Sequence, residues 1–197
     1  MLKTKTLIVP TYKGSPTTQY NEHNVIALKE IVQGRKLKTA IDIGAWWGPW
    51  TIQMAGLMEN IKCFEANKDM QPLLEQNTKE YNNVEIYKQA LSSHQWTAGM
   101  KADTHSGTYG VNNLNEGEGV MLKPLDDYNF TDVDIIKIDV EGHEHSVLLG
   151  AKQTILQNKP LIQIEIQTKQ KYAVYKLLEN LGMQRIYKRF PDQIWTF

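Results

Sequence analysis

The chain has 197 residues, with 22 Lys plus Arg set against 22 Asp plus Glu, 41% hydrophobic residues and a mean hydropathy of −0.46. Zero net charge supplies no general attraction for nucleic acid or anionic lipid, so neither is expected as a partner, and no apolar run approaches the roughly 18 residues of a membrane helix. The single cysteine, Cys63, excludes an internal disulfide framework and a cysteine-based zinc cluster. Only Leu7, Ile8 and Val9 form an apolar run before Pro10, too short for a signal-peptide core, so a cytoplasmic protein is expected. The length suits one domain.

In chain order, residues 1–36 read as an N-terminal covering segment and helix, and 37–197 as the core. Val25, Ile26, Leu28, Ile31 and Val32 make a helical stripe closed by Gly34. Lys38–Ile43 reads as a strand, Pro49–Met58 as a helix with proline at its start, and Ile61–Phe64 as a second strand. Asn67 is placed to cap a helix running to about Tyr81, and Val84–Tyr87 returns as a third strand. Between Gln89 and Thr131, clustered Ser, Thr, Gly and Asn predict loops and short antiparallel strands. Asp134–Asp139 and Leu161–Ile166 read as strands around a helix over Glu144–Gln157. Lys171–Leu181 reads as a helix closed by Gly182, followed by a hairpin turning at Pro191-Asp192. Alternating strands and helices predict an α/β fold, a parallel sheet with helices on its faces.

Ligands of open α/β sheets bind beyond the carboxyl ends of the strands, and those ends are polar here. The first strand runs into Asp42-Ile43-Gly44-Ala45-Trp46-Trp47-Gly48, whose glycines allow a tight turn and close backbone approach to a ligand. The spacing lacks the third glycine of the dinucleotide fingerprint. Asp42 would repel a pyrophosphate and attract an ammonium. Glu65 follows Gly44 by the twenty-one residues expected of an acid that holds ribose hydroxyls. A cationic nucleoside without phosphates, S-adenosylmethionine, suits both acids.

Several further segments join these: Cys63-Phe64-Glu65-Ala66, Gln89-Ala90-Leu91-Ser92, Lys137-Ile138-Asp139-Val140-Glu141-Gly142, Leu148-Leu149-Gly150-Ala151 and Pro160-Leu161-Ile162-Gln163-Ile164-Glu165. With Ile41-Asp42-Ile43-Gly44-Ala45, they make the stretch from about Ala40 to Glu165 resemble the FkbM-type S-adenosylmethionine-dependent methyltransferases. The resemblance implies a Rossmann-like seven-stranded methyltransferase sheet with helices on both faces. It also implies methyl transfer, usually to oxygen, on sugars, glycans or other small metabolites. Carried onto this chain, the cofactor would be met by Asp42, Gly44, Ala45, Gly48, Glu65, Ala66, Gln89, Ala90 and Asp139. Trp46 and Trp47 depart from the family's common Gly-Ala-Asn-x-Gly turn, and Ala66 stands where a proline often follows the acid.

Methyl transfer to a hydroxyl needs alignment and a proton acceptor. Asp139, Glu141 and His143 gather at one strand end, and His143, with an ordinary pKa of about 6.5, is the expected base. Asp139 and Glu141 are the alternative, as bases or as ligands of a divalent cation; no metal site is assigned, because His145 lies two residues from His143 and points elsewhere. Lys137, inside an apolar strand, requires a carboxylate or ligand partner. Glu165 belongs to the same rim. Of Trp46, Trp47 and Trp50, one is expected in the pocket and at least one in the core. Two further methyltransferase classes fit poorly, since Asp139 is not followed by two prolines and Cys63 does not follow one. The remaining alternatives are a binding module that kept the fold without the chemistry, and a nicotinamide enzyme. The N-terminal stretch around Pro10–Pro16 and the segment from Gln89 to Leu125 are the candidate lids over an acceptor.

Overall fold

The computed structural model describes residues 7–9, 11–12, 15–16, 22–102, 109–112, 119–166 and 171–197. Strands β1 (Thr11–Tyr12) and β2 (Ser15–Pro16) pair ahead of α1 (Glu22–Ile31). Then follow β3 (Leu37–Ile43), α2 (Pro49–Met54), β4 (Met58–Phe64), α3 (Gln71–Thr78) and β5 (Val84–Tyr87). A small sheet is built from β6 (Ala90–Leu91), β7 (Trp96–Ala102), β8 (Tyr109–Asn112) and β9 (Gly119–Lys123). After a 3-10 turn at Leu125–Tyr128 come β10 (Val133–Ile138), α4 (Glu144–Leu149), α5 (Lys152–Asn158), β11 (Leu161–Glu165), α6 (Lys171–Asn180), β12 (Gln184–Arg189) and β13 (Asp192–Thr196).

The main sheet has seven strands in the order β12-β13-β11-β10-β3-β4-β5, with β13 antiparallel to both its neighbours. The ladders joining β11, β10, β3, β4 and β5 are all parallel. From β3 the chain winds outward through β4 and β5, then returns to β3's other side with β10, so the strand order reverses between β3 and β10. A cleft at that reversal is where such sheets take ligands. Both faces are covered, which explains the near-continuous apolar runs. On one face Ile41, Ile43, Ile136 and Ile138 pack with Val147, Ile155, Val174 and Leu178. On the other, Ala40, Ile61, Cys63 and Ile135 pack with Val25, Leu28, Trp50, Met54 and Leu74.

The α/β class, the seven strands and the C-terminal hairpin agree with the sequence reading, and several boundaries differ. The helix expected over 49–58 ends at Met54, and Met58 instead opens β4 opposite Leu37. The helix expected over 144–157 is two helices broken at Gly150-Ala151. The break is held by tertiary contacts: Asp126 donates its amide to the Gly150 carbonyl at 2.9 Å and its carboxylate accepts from the Gln153 and Thr154 amides at 3.0 and 2.8 Å, while a Cβ on Gly150 would lie 2.0 Å from the carbonyl oxygen of Ser92, so the backbones touch there. Asn67 caps only a turn, its Oδ1 accepting from the Asp69 amide at 2.9 Å, and α3 begins at Gln71. The antiparallel strands expected in 89–131 are present, although residues 103–108 and 113–118 of that stretch lie outside the described residues, as does part of the proposed N-terminal lid. No helix among the described residues is long and apolar enough to cross a membrane.

Backbone against backbone cannot yield cheaply, so Gly150→Ala should destabilise the protein by roughly 2 kcal/mol or more, within the range of strongly overpacked core sites. Chemical denaturation of the variant checks this; an unchanged midpoint would refute the close contact.

Candidate active site

Gly44 sits just past the end of β3 with φ +80, and a Cβ there would fall 1.9 Å from the carbonyl oxygen of Asp139. Glycine is therefore required twice over, for the dihedral and for the approach. The amides of Gly44 and Ala45 donate to the Phe64 carbonyl at 2.9 and 3.1 Å, and the Asp139 amide donates to the Ile43 carbonyl at 3.0 Å. These bonds bring the ends of β3, β4 and β10 to one place. The loop closes at Gly48, φ +92, immediately before Pro49 opens α2.

Beneath this loop lies a buried charge cluster. Lys137 Nζ is 3.2 Å from Asp42 Oδ1, donates to the Gly44 carbonyl at 3.0 Å and stands 3.5 Å from Asp139 Oδ2. The other Asp42 oxygen accepts from Thr51 Oγ1 at 2.6 Å. Lys137 thus has the carboxylate partner its sequence position demands. Asp42 is 0% exposed and meets this chain's own ammonium, where its strand-end position alone reads as a partner for a cofactor ammonium. Cys63 is buried 3.1 Å from Thr51 Oγ1, and burial pushes its thiol pKa up, consistent with the packing role expected of it.

Glu65 is buried at the rim. Its Oε2 accepts from the Trp46 amide and its Oε1 from the Asn67 amide, both at 2.7 Å, while Gln71 Nε2 holds its carbonyl at 3.0 Å. A carboxylate has about four acceptor sites, so two remain for hydroxyl donors such as those of a ribose. Burial pushes its pKa up to about 7, against the pull of the two amides. Ala66 adjoins it, half-buried; Gln89 accepts from the Tyr128 hydroxyl, and Ala90 pairs in β6. Of the tryptophans, Trp50 is core, its indole donating to Gln163 Oε1 at 3.0 Å, Trp47 is buried, and Trp46 is half-buried at the mouth.

The carboxyl ends of β10 and β11 form an acidic rim. Asp139 follows β10, and Glu141 and Gly142 turn through positive φ of 52 and 94 into α4. Glu144 Oε1 accepts the Gly142 amide at 2.8 Å. His143 is half-buried with Nε2 3.0 Å from Ser92 Oγ, and burial lowers its pKa. Ser92 Oγ also accepts from Trp96 Nε1 at 3.4 Å. Glu165 ends β11 directly opposite Asp192 of β13. Burial, and then repulsion from Asp139, Asp192 and Glu141, pushes its pKa up to about 8 against the pull of Lys137. Asp192 is raised to about 6, mainly by burial, while Asn24 and Lys137 pull it down. The sequence places Glu165 on this rim by its strand end, and Ser92 enters only within the segments of the family resemblance; neither the contact of Ser92 with His143 nor the place of Asp192 beside the rim is legible there. Among the described residues no three His, Cys, Asp or Glu side chains are disposed to hold a metal ion.

A seven-stranded sheet of this order, a glycine turn at its reversal point and an acid at the end of the neighbouring strand define a Rossmann-like methyltransferase. The FkbM methyltransferase domain model matches residues 62–185, and the chain belongs to that family, whose methyl donor is S-adenosylmethionine. Among solved structures it is similar to the FkbM methyltransferase of Methylobacillus flagellatus KT, at 16% identity and TM-score 0.63. That match covers 82% of this chain and 44% of the other, so the chain spans less than half of that relative's length. It is also similar to a precorrin-8w decarboxylase of Methanobacterium thermoautotrophicum, at 16% identity, TM-score 0.59 and 96% of both chains. A third is a putative methyltransferase of Streptococcus mutans solved in complex with SAH, at 13% identity, TM-score 0.55, and 87% and 95% of the two chains. The residues of this chain fit the donor: Glu65 keeps acceptor sites that ribose hydroxyls would fill, and Gly44 and Ala45 offer backbone for close approach.

Removing Lys137 would strand a fully buried Asp42. Lys137→Met should destabilise the protein by roughly 3–5 kcal/mol, and adding Asp42→Asn should recover a substantial part of that loss. Denaturant unfolding of both variants checks this, and additive losses would refute the pairing. For Glu65 the sign follows from its donors: hydroxyls favour the ionised form, so binding releases a proton. Affinity for S-adenosylhomocysteine should therefore rise roughly 5- to 10-fold from pH 6 to pH 8, and Glu65→Gln should flatten that dependence. Calorimetry in buffers of different ionisation enthalpy measures the proton; a flat wild-type profile would remove Glu65 from the contact.

Proposed function

We propose that this protein transfers a methyl group from S-adenosylmethionine to a hydroxyl of a small polar molecule, a sugar or glycan. The acceptor class rests on the family resemblance, and the carrying observation for the chemistry is the acidic rim beside the cofactor turn. Gly44, Ala45, Gly48, Glu65, Ala66, Gln89, Ala90 and Asp139 hold the cofactor in this reading, and Asp42 acts from below through Lys137. When bound, the cofactor supplies an activated methyl group. The chain's own residues orient the acceptor hydroxyl and take its proton.

Basicity decides between the candidate acceptors of that proton. Burial lowers His143, whose Nε2 lies 3.0 Å from Ser92 Oγ. Burial and neighbouring charge raise Glu165 to about 8. Glu165 is the stronger base at the rim, with Asp139 and Glu141 beside it keeping its pKa high; His143 positions Ser92 and the start of α4. This replaces the sequence-based preference for His143 with a carboxylate on the neighbouring strand. Catalysis would then strengthen from pH 6 toward pH 8 as Glu165 ionises.

The test is methylation of a panel of sugars and hydroxylated metabolites, with product formation followed by NMR for a new O-methyl signal. Glu165→Gln should lower turnover about 100- to 10,000-fold with little change in S-adenosylhomocysteine affinity, and His143→Ala less than about 10-fold. The reverse ranking would restore His143 as the base, and a methyl on nitrogen or carbon would overturn the acceptor class.

A further inference from the structure

Trp46 has φ 55, in the left-handed region, where a side-chain Cβ crowds the following carbonyl and which bulky residues rarely adopt. The backbone around it leaves no alternative. Ala45 before it donates to the Phe64 carbonyl at 3.1 Å, its own amide donates to Glu65 Oε2 at 2.7 Å, and the Trp47 carbonyl after it accepts from Asn77 Nδ2 at 3.0 Å. A glycine or asparagine would make the same Glu65 bond with less strain. The backbone therefore accounts for the dihedral and leaves the indole unexplained.

The ring itself is held on a firm support. It rests 5.7 Å, centroid to centroid, from the ring of Trp47 at 52°. Trp47 is only 4% exposed, and Asn77, which fixes its carbonyl, also clamps both the amide and the carbonyl of Ile8 at 2.9 and 2.8 Å. Trp46 itself is only half-buried, unlike Trp47 beneath it. The residue lies in the turn between Glu65, the ribose acid, and the Lys137–Asp139 cluster. Strain kept at a ligand turn for a side chain the fold does not need points to a use in binding.

We propose that Trp46 is a specificity-determining residue whose indole forms an aromatic wall against the sulfonium end of the bound cofactor. The inference rests on the methyltransferase reading. An indole face attracts a desolvated cation, and S-adenosylmethionine carries a sulfonium that its demethylated product lacks. The wall therefore favours the methyl donor over the spent product and eases product exchange.

Trp46→Asn and Trp46→Phe, compared with wild type, test it by calorimetric titration with S-adenosylmethionine and S-adenosylhomocysteine and by thermal unfolding without ligand. Trp46→Asn should raise the apo melting temperature by roughly 2–4 °C through relief of strain. It should weaken S-adenosylmethionine binding about 10- to 30-fold and S-adenosylhomocysteine binding no more than about 3-fold. Trp46→Phe should keep most of the preference for the donor. An unchanged ratio of the two affinities in Trp46→Asn overturns the proposal, as does a joint fall of stability and both affinities, the mark of a packing residue. A Trp46→Asn chain that fails to fold overturns it too, because strain relief predicts the opposite. Wild-type protein that binds neither compound would instead bring down the methyltransferase reading.

Discussion

The site depends on one buried ammonium. Lys137 is 4% exposed in the middle of a sheet covered on both faces, where an uncompensated charge would be too costly to persist. It is compensated by parts of two strand ends: the Asp42 carboxylate and Gly44 carbonyl at the end of β3, and the Asp139 carboxylate following its own β10. Lys137 pairs with Asp42 in register across the parallel ladder, so the sheet itself brings charge to charge. Satisfying the lysine fixes where the β3 chain turns, and that turn places the Trp46 amide on Glu65. The local peptide geometry at Gly44 and the buried ion pair therefore specify the same loop, and each supports the other.

The acidic groups above the lysine work in the opposite sense. Glu65, Glu165 and Asp192 are raised to about 7, 8 and 6. Between their ordinary values and these, the folded chain holds more protons than the unfolded one, so their contribution to stability declines as pH rises. A rim that resists its own charge at neutral pH suits the roles proposed for it, accepting hydroxyl donors at Glu65 and a proton at Glu165. Lys137 supports the fold, while the carboxylates above it trade stability for ligand chemistry.

What the sequence reveals follows from how local each signal is. The buried strands show as apolar runs, Gly44 and Glu65 as a spacing, and the need of Lys137 for a partner as a charge in an apolar strand. All are properties of single segments or of one βαβ unit. The break between α4 and α5 is not, because the contacts that hold it come from Asp126 and Ser92, both distant in sequence. Likewise Asp42 at a strand end reads equally well as a ligand for an external ammonium or an internal one, and only the pairing of β3 with β10 selects Lys137. Glu165 looks like any strand-end acid until β13 lays Asp192 opposite it. His143 reads as the natural base by its ordinary pKa, and only the fold shows that burial lowers that pKa and sets Ser92 Oγ 3.0 Å from its Nε2.

Under the proposed function, the same division separates the donor's half of the site from the acceptor's. The cofactor turn is made of backbone groups at the ends of β3, β4 and β10, held by a lysine that lies below the ligand. The groups proposed to meet an acceptor are side chains along the rim of β10, β11 and β13. Above them lie segments outside the seven-stranded sheet, chiefly the small sheet of β6 to β9 inserted between β5 and β10. That insert anchors to the core through Ser92, which touches both His143 and Gly150. Substitutions farther out on it can reshape what reaches Glu165 without disturbing the ladder that fixes Gly44. Trp46 is the exception: it is a side chain placed in the backbone-made half, strained because the turn was shaped for the Glu65 bond rather than for an indole.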